Sequence, residues 1–484
     1  MVFISIIIFF KIFYFISSKD RLVFLYTHFR HGARAPTKVN KNLYDNLKEY
    51  WTNPGELTGV GQRMLYLLGL RNRIKYIKNQ QFLSEKFDAH EILIYSSDYN
   101  RTLVSCSSQL QGLYPQKDLK GEILNNDQID IAYPRVNINY DEIIEEIKNL
   151  GNYSLPYNMI LSPVRMISNN DRKFHMHKLE GCDKVKDEIT QKNIEHITYI
   201  SEEVKKFNEK YGKRLNHYYN TENIIYTYDD ISDICSSVLP AYADARKCIE
   251  FKNAGFDLEE MNEYCWGFFR IKHLYEIHGD DEKIYAHIEA SRMLREVLYY
   301  MKRRLDADIT EENEDENIKD YSRPRMLMIS GHDTTVSSDE IILIKALGLN
   351  ENETFISPKF STQLALEVKA KNSEKTSKYS DYYVVGYIDD KEIFNFPADE
   401  FIDKVEKELW SDDKIDEVCE FNKDKNNDDS NNHDNNDRSK TYKTLMIIFI
   451  IISFIFILST IYLGYKYSKL KRVPLIEELG EVVK

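Results

Sequence analysis

A short apolar run that ends in a cluster of cations is the feature that most constrains this chain. Residues 22–26 are apolar, and Arg30-His31-Gly32-Ala33-Arg34-Ala35-Pro36 follows closely. Such a run predicts a buried strand, and the glycine and proline mark the loop at its carboxyl end. Ligands of open α/β sheets bind at these ends. Because arginine suits phosphate and histidine can act as a nucleophile, the loop is expected to hold and attack an oxyanion.

Two further stretches have the same order of apolar run, polar turn and helical pattern. Residues 92–95 lead into a helix predicted at 100–111, and residues 326–329 lead into one predicted at 334–347. Helix amino ends add backbone N–H groups that favour an anion. The three strands are therefore expected to bring one set of side chains to a single rim: Arg30, His31, Arg34, Arg101, His332 and Asp333.

The chain resembles the histidine acid phosphatase family, and in particular its membrane-anchored lysosomal type. The resemblance rests on three motifs in order: Arg30-His31-Gly32-x-Arg34-x-Pro36, Ser97-x-x-x-Arg101-Thr102 and His332-Asp333. Weaker landmarks at residues 55–61, 112–115 and 356–367 agree with it. It implies an α/β fold with a phosphoglycerate-mutase-like, three-layer α/β/α core and a mixed sheet. It also implies an inserted α-helical cap at about residues 118–281.

The resemblance also implies a role for each site residue. His31 would be the nucleophile that forms a phosphohistidine, and Asp333 would be the proton donor. The remaining residues would bind the substrate phosphate: Arg30, Arg34, Arg101 and His332. An acidic optimum follows, because Asp333 must carry a proton while the arginines keep His31 neutral. The resemblance implies no metal and no other cofactor.

Each of these residues also has an ordinary interpretation when it is taken singly. Most arginines are surface residues, a histidine near a strand end can be structural, and His332-Asp333 can cap a helix. The three motifs together favour the site. His28 is predicted to be structural. His175 and His177 form a weak metal-ligand pair, for which a solvated loop or cap surface is the favoured interpretation.

Alternative functions remain open at the level of sequence. Within the same family, the chain could be a lysophosphatidate or inositol-phosphate phosphatase. In another class, it could be a catalytically inactive, membrane-anchored binding protein, although six retained site residues argue against this. The formal net charge of −13 argues against nucleic acid as a partner. The expected partners are a small phosphomonoester and a membrane, and a homodimer is left open.

The two ends of the chain predict export and anchoring. Residues 1–18 are predicted to be a signal peptide, with an uncleaved membrane anchor as the alternative. The phosphatase domain is expected at 19–405, a charged and Asn/Asp-rich stalk at 406–444, and a transmembrane helix at 445–464. Residues 465–484 would form a cytosolic tail. The catalytic domain would face a lysosome-like lumen or the cell surface.

The six cysteines and the sequons fit an exported domain. Cys106 is predicted to be a buried thiol, because the family usually has a small residue there. Cys248–Cys265 and Cys182–Cys419 are the pairs we expect, although spacing alone leaves other connectivities open. Asn152 and Asn352 begin glycosylation sequons; a third begins at Asn100, where a glycan would obstruct the site.

Overall fold

The computed structural model describes residues 20–37, 53–115, 123–132, 144–155, 161–168, 179, 182–196, 198–218, 221–244, 255–310, 323–371 and 376–420. The chain divides into two units after Cys419, and the described helices and strands all belong to the first. No helix within these ranges is long and apolar enough to cross a membrane. The predicted transmembrane helix at 445–464 and the predicted signal peptide at 1–18 lie outside the described residues.

A mixed sheet is the centre of the described part of the chain. Its seven strands are β1 (Arg21–Arg30), β2 (Ile92–Ser97), β3 (Arg165–Ile167), β4 (Met326–Gly331), β5 (Gln363–Ala370), β6 (Tyr382–Ile388) and β7 (Lys391–Pro397). Their order across the sheet is β3-β2-β4-β1-β5-β6-β7. The pairs β3–β2, β2–β4 and β4–β1 are parallel, whereas the pairs β1–β5, β5–β6 and β6–β7 are antiparallel. The predicted α/β class with a mixed sheet is confirmed.

The described helices are α1 (Gly59–Asn72), α2 (Asn100–Leu113), α3 (Asn126–Ile131), α4 (Ile144–Leu150), α5 (Asp183–His196), α6 (Thr198–Phe207), α7 (Lys213–Tyr218), α8 (Tyr228–Ala243), α9 (Leu258–Ile271), α10 (Ile284–Thr310), α11 (Asp333–Leu347), α12 (Glu351–Thr354), α13 (Ala398–Glu408) and α14 (Asp412–Val418). Three π-helical turns continue helices: Arg73–Asn79 after α1, Asn208–Gly212 after α6 and Lys272–Ile277 after α9. The helix predicted at 100–111 corresponds to α2 and ends two residues before it. The helix predicted at 334–347 corresponds to α11 and begins one residue after it.

Helices cover both faces of the sheet. Tyr26 and Leu327 pack with residues of α10 and α11 in one apolar cluster. Leu25 and Met326, the residues directly before Tyr26 and Leu327 in their strands, pack with residues of α1 and α2 in a second apolar cluster. Because successive side chains point to opposite faces, a strand covered on both sides must be apolar throughout. This explains the continuous apolar run that begins the chain's first motif.

The middle of the chain contains one strand that the sequence pattern did not predict. No strand was expected between residues 118 and 281, but β3 pairs with β2 there, in the register Ser96 with Met166. That expectation is wrong. A strand of three residues with an exposed Met166 is too short to show the alternation by which strands are recognised.

The disulfides correct one of the two expected pairs. Cys182 and Cys419 are bonded as expected, and Cys106 is a buried free thiol as expected. The expected pair Cys248–Cys265 is wrong, because Cys265 of α9 is bonded to Cys235 of α8. Both of these cysteines are buried where the two helices pack against each other, with their Cα atoms 5.1 Å apart. Residue 248 lies outside the described ranges.

Candidate active site

The carboxyl edge of the parallel strands gathers the predicted site around a cavity of about 220 Å³. β1 ends at Arg30, which pairs with Gly331 at the end of β4. The end of β1 and the loop after it supply Arg30, His31 and Arg34, and the segment from β4 into α11 supplies His332 and Asp333. The first turn of α2 supplies Arg101. All of them line the cavity: Arg30, His31, Arg34, Arg101, His332 and Asp333.

His31 is buried, and its imidazole is held in one orientation. Its Nδ1 lies 2.8 Å from the carbonyl oxygen of Gly32. A carbonyl can only accept, so Nδ1 carries the proton and Nε2 keeps its lone pair. Burial lowers the pKa of His31 well below its ordinary value, and the three neighbouring arginines lower it further. The ring is therefore neutral at mildly acidic pH, which is the form that can attack phosphorus.

Arg30 connects the end of β1 to the start of α11 and to the segment that precedes β5. One guanidinium nitrogen donates to the carbonyl oxygen of Pro358 at 2.8 Å, and another lies 2.8 Å from a carboxylate oxygen of Asp333. The guanidinium carbon lies 4.5 Å from the ring centroid of Phe360 and 5.7 Å from that of Trp266. These contacts orient the planar fork of donors before any substrate binds.

Arg34 and Arg101 complete a cluster of three guanidinium groups. Arg34 donates to the carbonyl oxygen of Ala35 at 2.9 Å, and Arg101 lies 4.4 Å over the ring of Tyr99. Burial, followed by repulsion from the other arginines, lowers the pKa of Arg34 to about 9; burial also lowers the pKa of Arg101. Both groups stay cationic at acidic and neutral pH, so the cluster concentrates positive charge where a phosphate would fit.

His332 is oriented by the motif that follows β2. Its Nδ1 lies 3.3 Å from a guanidinium nitrogen of Arg101, and its Nε2 lies 2.8 Å from Oγ of Ser97. Because arginine only donates, Nδ1 accepts and Nε2 carries the proton. The hydroxyl of Ser97 also lies 2.9 Å from that of Thr102. The residues of Ser97-x-x-x-Arg101-Thr102 thus form one hydrogen-bonded unit with His332.

A second buried polar layer lies beneath His332. Nδ1 of His28 is 2.7 Å from a carboxylate oxygen of Asp339, to which the hydroxyl of Tyr26 donates at 2.5 Å. Nε2 of His28 is 3.2 Å from the hydroxyl of Thr335, which accepts the backbone N–H of His332 at 2.9 Å. His28 therefore supports the backbone of the site, in line with the structural role predicted for it.

Two glycines let the loop after β1 lie directly against the start of α1. A Cβ added at Gly32 would meet the carbonyl oxygen of Gly61 at 2.3 Å, and one added at Gly61 would meet that of Ala33 at 2.1 Å. The hydroxyl of Thr58 caps α1 by accepting the N–H of Gly61. No larger residue fits between these backbones, so the loop's position depends on both glycines.

The rest of the cavity lining was missed by the sequence analysis. It comes from α8, from α9 with its π-helical turn, from the first turn of α11 and from loops: Thr37, Ser232, Asp233, Ser236, Leu239, Pro240, Phe269, Lys272, His273, Ile277, Thr334 and Phe360. No motif marks these residues. The spacing of four between Phe269, His273 and Ile277 is the one signal, and it is shared by every buried helix face. His175 and His177, for which a solvated loop or cap surface was the favoured interpretation, lie outside the described residues. Within the described residues, no cluster of three metal-binding side chains occurs.

Comparisons with known proteins place the chain among phosphatases. Residues 21–384 match the family described as the histidine phosphatase superfamily (branch 2). The chain is 23% identical to prostatic acid phosphatase from Bos taurus over 65% of this chain and 67% of that protein. It is 37% identical to lysosomal acid phosphatase from Xenopus laevis over 21% of this chain and 22% of that protein.

The extent of these matches differs between relatives. Two relatives from Caenorhabditis elegans are matched over only 22% and 23% of their own length. Among solved structures, a phytase from Klebsiella sp ASR1 is similar with a TM-score of 0.48 at 11% identity, covering 81% of this chain and 97% of that one.

Proposed function

Because the chain belongs to branch 2 of the histidine phosphatase superfamily, we propose that it is an acid phosphatase that hydrolyses phosphate monoesters. The observation that carries this proposal is the orientation of His31, whose Nε2 is unprotonated. His31 lines a cavity together with three arginines and Asp333. The relatives named prostatic and lysosomal acid phosphatases support the same reaction class.

The first step is transfer of the phosphoryl group to His31. The lone pair of Nε2 attacks phosphorus while Nδ1–H stays bonded to the carbonyl of Gly32. The ester P–O bond breaks, its electron pair goes to the leaving oxygen, and that oxygen takes the proton of Asp333. The remaining polar groups hold the non-bridging oxygens and offset their charge: Arg30, Arg34, Arg101 and His332. His332 would join the arginines once the phosphate draws Arg101 away from its Nδ1 and that nitrogen takes up a proton with which to donate.

The second step returns the enzyme to its starting state. Water attacks phosphorus and gives a proton to the carboxylate of Asp333, and the P–N bond breaks to release inorganic phosphate. Before substrate binds, Asp333 is paired with Arg30 at 2.8 Å. A phosphate that takes over donors of Arg30 brings negative charge near the carboxyl, which favours a proton on Asp333.

An acidic optimum follows from the opposite requirements of the two catalytic groups. His31 must be unprotonated, and burial with the nearby arginines lowers its pKa so that acid does not protonate it. Asp333 must be protonated, which acid favours. The charge stabilisation comes from arginines, so the proposed mechanism uses no metal.

The proposal extends to domain organisation and location. Residues 118–281 would act as a helical cap on the phosphatase domain at 19–405, with the anchor at 445–464 holding it to a membrane as a single-pass protein. The disulfides Cys182–Cys419 and Cys235–Cys265 support an oxidising compartment, as does the relative named lysosomal acid phosphatase. We propose a lysosome-like lumen or the cell surface, and we leave a homodimer as a prediction.

Full-length protein in detergent, assayed with p-nitrophenyl phosphate from acidic to neutral pH, tests the proposal. We expect release to peak below neutrality, to persist with a chelator, and to fall below detection in His31→Ala. His217→Ala, an exposed histidine on α7, serves as the matched control. Trapping a labelled phosphoryl group on wild-type protein but not on His31→Ala would locate the intermediate.

Two results would contradict the proposal. If His31→Ala turned over substrate at the wild-type rate, the assignment of His31 as the nucleophile would be wrong. No turnover at any pH by protein that unfolds cooperatively would favour the alternative of a membrane-anchored binding protein. Preference for lysophosphatidate or an inositol phosphate over p-nitrophenyl phosphate would instead favour the narrower alternatives within the family.

A further inference from the structure

The mechanism leaves one buried imidazole at the cavity without a role. His273 belongs to the π-helical turn Lys272–Ile277, and its side chain lines the cavity although the residue is only 1% exposed. Local π-helical geometry inserts an extra residue into a helix and is frequent at functional sites. Phe269 near the end of α9 and His273 and Ile277 of the turn line the cavity together.

One edge of this imidazole is held by protein. Within the described part of the chain, the ring makes one hydrogen bond, between Nδ1 and the hydroxyl of Ser357 at 2.9 Å. Nε2 is left to meet a ligand in the cavity. Since a neutral imidazole has one donor and one acceptor, Nε2 can bond a hydroxyl group in either tautomer.

The surroundings of His273 select a neutral partner. Burial lowers its pKa to about 4, with Arg30 acting in the same direction and Asp333 in the opposite one. The ring is therefore uncharged at mildly acidic pH and would not form an ion pair with an anionic substituent. His273 lines the same cavity as Asp333, the group assigned to protonate the leaving oxygen. A substrate's leaving alcohol would lie against His273.

The other lining residues suit a small polar alcohol. α8 contributes the hydroxyls of Ser232 and Ser236 and the carboxyl of Asp233, which disfavours additional phosphates on the substrate. Lys272 also lines the cavity, but its ammonium group already donates to the hydroxyl of Ser232 and lies 3.4 Å from the carboxylate of Glu276. The cavity of about 220 Å³ is smaller than the roughly 300–1,000 Å³ typical of pockets for drug-sized ligands. A long acyl chain or a fully phosphorylated inositol does not match a cavity of this size.

We propose that His273 is a specificity-determining residue that hydrogen-bonds a hydroxyl of the leaving alcohol, which makes phosphate esters of small polyols the preferred substrates. This inference rests on the proposed phosphatase function. It assigns the phosphate to the arginines and the alcohol to the π-helical turn. Loss of His273 should then affect polyol esters and spare esters whose leaving group has no hydroxyl.

The test compares glycerol 2-phosphate with p-nitrophenyl phosphate on full-length wild-type, His273→Ala and His273→Gln protein. We expect His273→Ala to lower kcat/KM for glycerol 2-phosphate about tenfold and that for p-nitrophenyl phosphate less than about twofold, the size of one lost neutral hydrogen bond. His273→Gln, which keeps a donor and an acceptor, should retain most of the preference. His217→Ala controls for a histidine change elsewhere in the helices.

The outcomes separate this inference from the function on which it rests. An equal loss for both substrates, or no loss for either, would overturn the role of His273 while leaving the phosphatase assignment intact. A wild-type enzyme that hydrolyses neither substrate would overturn both. If His273→Ala fails to fold, the two substrates are compared in His273→Leu, which fills the space but cannot hydrogen-bond, and in Ser357→Ala; unchanged ratios in both would also overturn the inference.

Discussion

The two ends of the cavity are constructed from different kinds of structure. At the phosphate end, each side chain follows a buried strand and is fixed by short hydrogen bonds, such as those from His31 to Gly32 and from His332 to Ser97, both 2.8 Å. At the leaving-group end, the lining comes from α8, α9 and a π-helical turn, joined by the Cys235–Cys265 disulfide. Changes at the first end should therefore alter turnover of every substrate, and changes at the second should alter only the ratio between substrates.

Asp333→Asn should give the largest effect, because it removes the group that protonates the leaving oxygen. Asp333 belongs to the phosphate end of the cavity, but it acts on the leaving group. An amide cannot donate the proton, so kcat for glycerol 2-phosphate should fall at least about 100-fold, the usual contribution of a general acid. The fall should be smaller for p-nitrophenyl phosphate, whose leaving group needs no proton. Steady-state kinetics with both substrates measure this difference.

The matched control for that prediction is Asp229→Asn, an exposed carboxyl in the first turn of α8. It should leave both rates unchanged. An equal fall for both substrates in Asp333→Asn would mean that Asp333 acts mainly through its ion pair with Arg30 rather than as the acid.

Arg34→Gln should have the next largest effect and should move the pH dependence. Losing one charged hydrogen bond to phosphate should lower kcat/KM roughly 10- to 100-fold for all substrates. Arg34 also contributes to the lowered pKa of His31, so its removal raises that pKa. Because protonated His31 cannot attack, the acidic limb of the pH–kcat/KM profile should shift to higher pH.

Arg63→Gln, an exposed arginine of α1, provides the comparison for that profile. Its acidic limb should coincide with that of the wild type. A shift of the Arg34→Gln limb to lower pH would contradict the assignment of His31 as the group that must be unprotonated.

The two ends also differ in how far they could be predicted from sequence. Arg30, His31 and Asp333 lie within a few residues of a strand end, so local pattern alone places them at one edge of the sheet. His273 lies in a helix whose orientation depends on packing against distant elements, such as Ser357 and α8. No local rule specifies that packing.

The same contrast explains the errors in the predicted elements. Cys265 pairs with Cys235 rather than Cys248, because the pairing follows from how α8 and α9 pack, which spacing does not encode. β3 has three residues and is too short for its pattern to be recognised. The apolar runs of β1, β2 and β4, covered on both faces, were long enough to predict. The local sequence pattern was therefore sufficient to predict the long strands, but it was insufficient to predict contacts between distant segments.

Gly61→Ala should have a moderate effect on activity through the position of the loop after β1. The added Cβ would lie 2.1 Å from the carbonyl oxygen of Ala33, so one of the two backbones must shift. We expect a loss of about 1–3 kcal/mol of stability, typical of overpacking, and a several-fold lower kcat for both substrates. Thermal unfolding and kinetics together measure this.

Gly59→Ala is a control two residues earlier in the same helix, where an added Cβ has no atom within 4 Å. It should match or slightly exceed the wild-type stability, since alanine favours a helix over glycine. If both variants behave alike, the close approach of the two backbones does not position the site.

Replacing both Cys235 and Cys265 by alanine should have the smallest effect on catalysis and is the sharpest test of independence between the two ends. The bond closes a loop with a sequence separation of 30, for which chain entropy gives about 3–4 kcal/mol of stabilisation. The unfolding temperature should therefore fall. Since the bond joins the helices of the leaving-group end, the preference for glycerol 2-phosphate should drop about threefold while turnover of p-nitrophenyl phosphate stays within about twofold.

Cys106→Ala, which removes a buried thiol from α2, should leave the preference unchanged. A proportional fall for both substrates in the double variant would show that the helices also hold the arginines in place, and the division of the cavity into two ends would then be wrong.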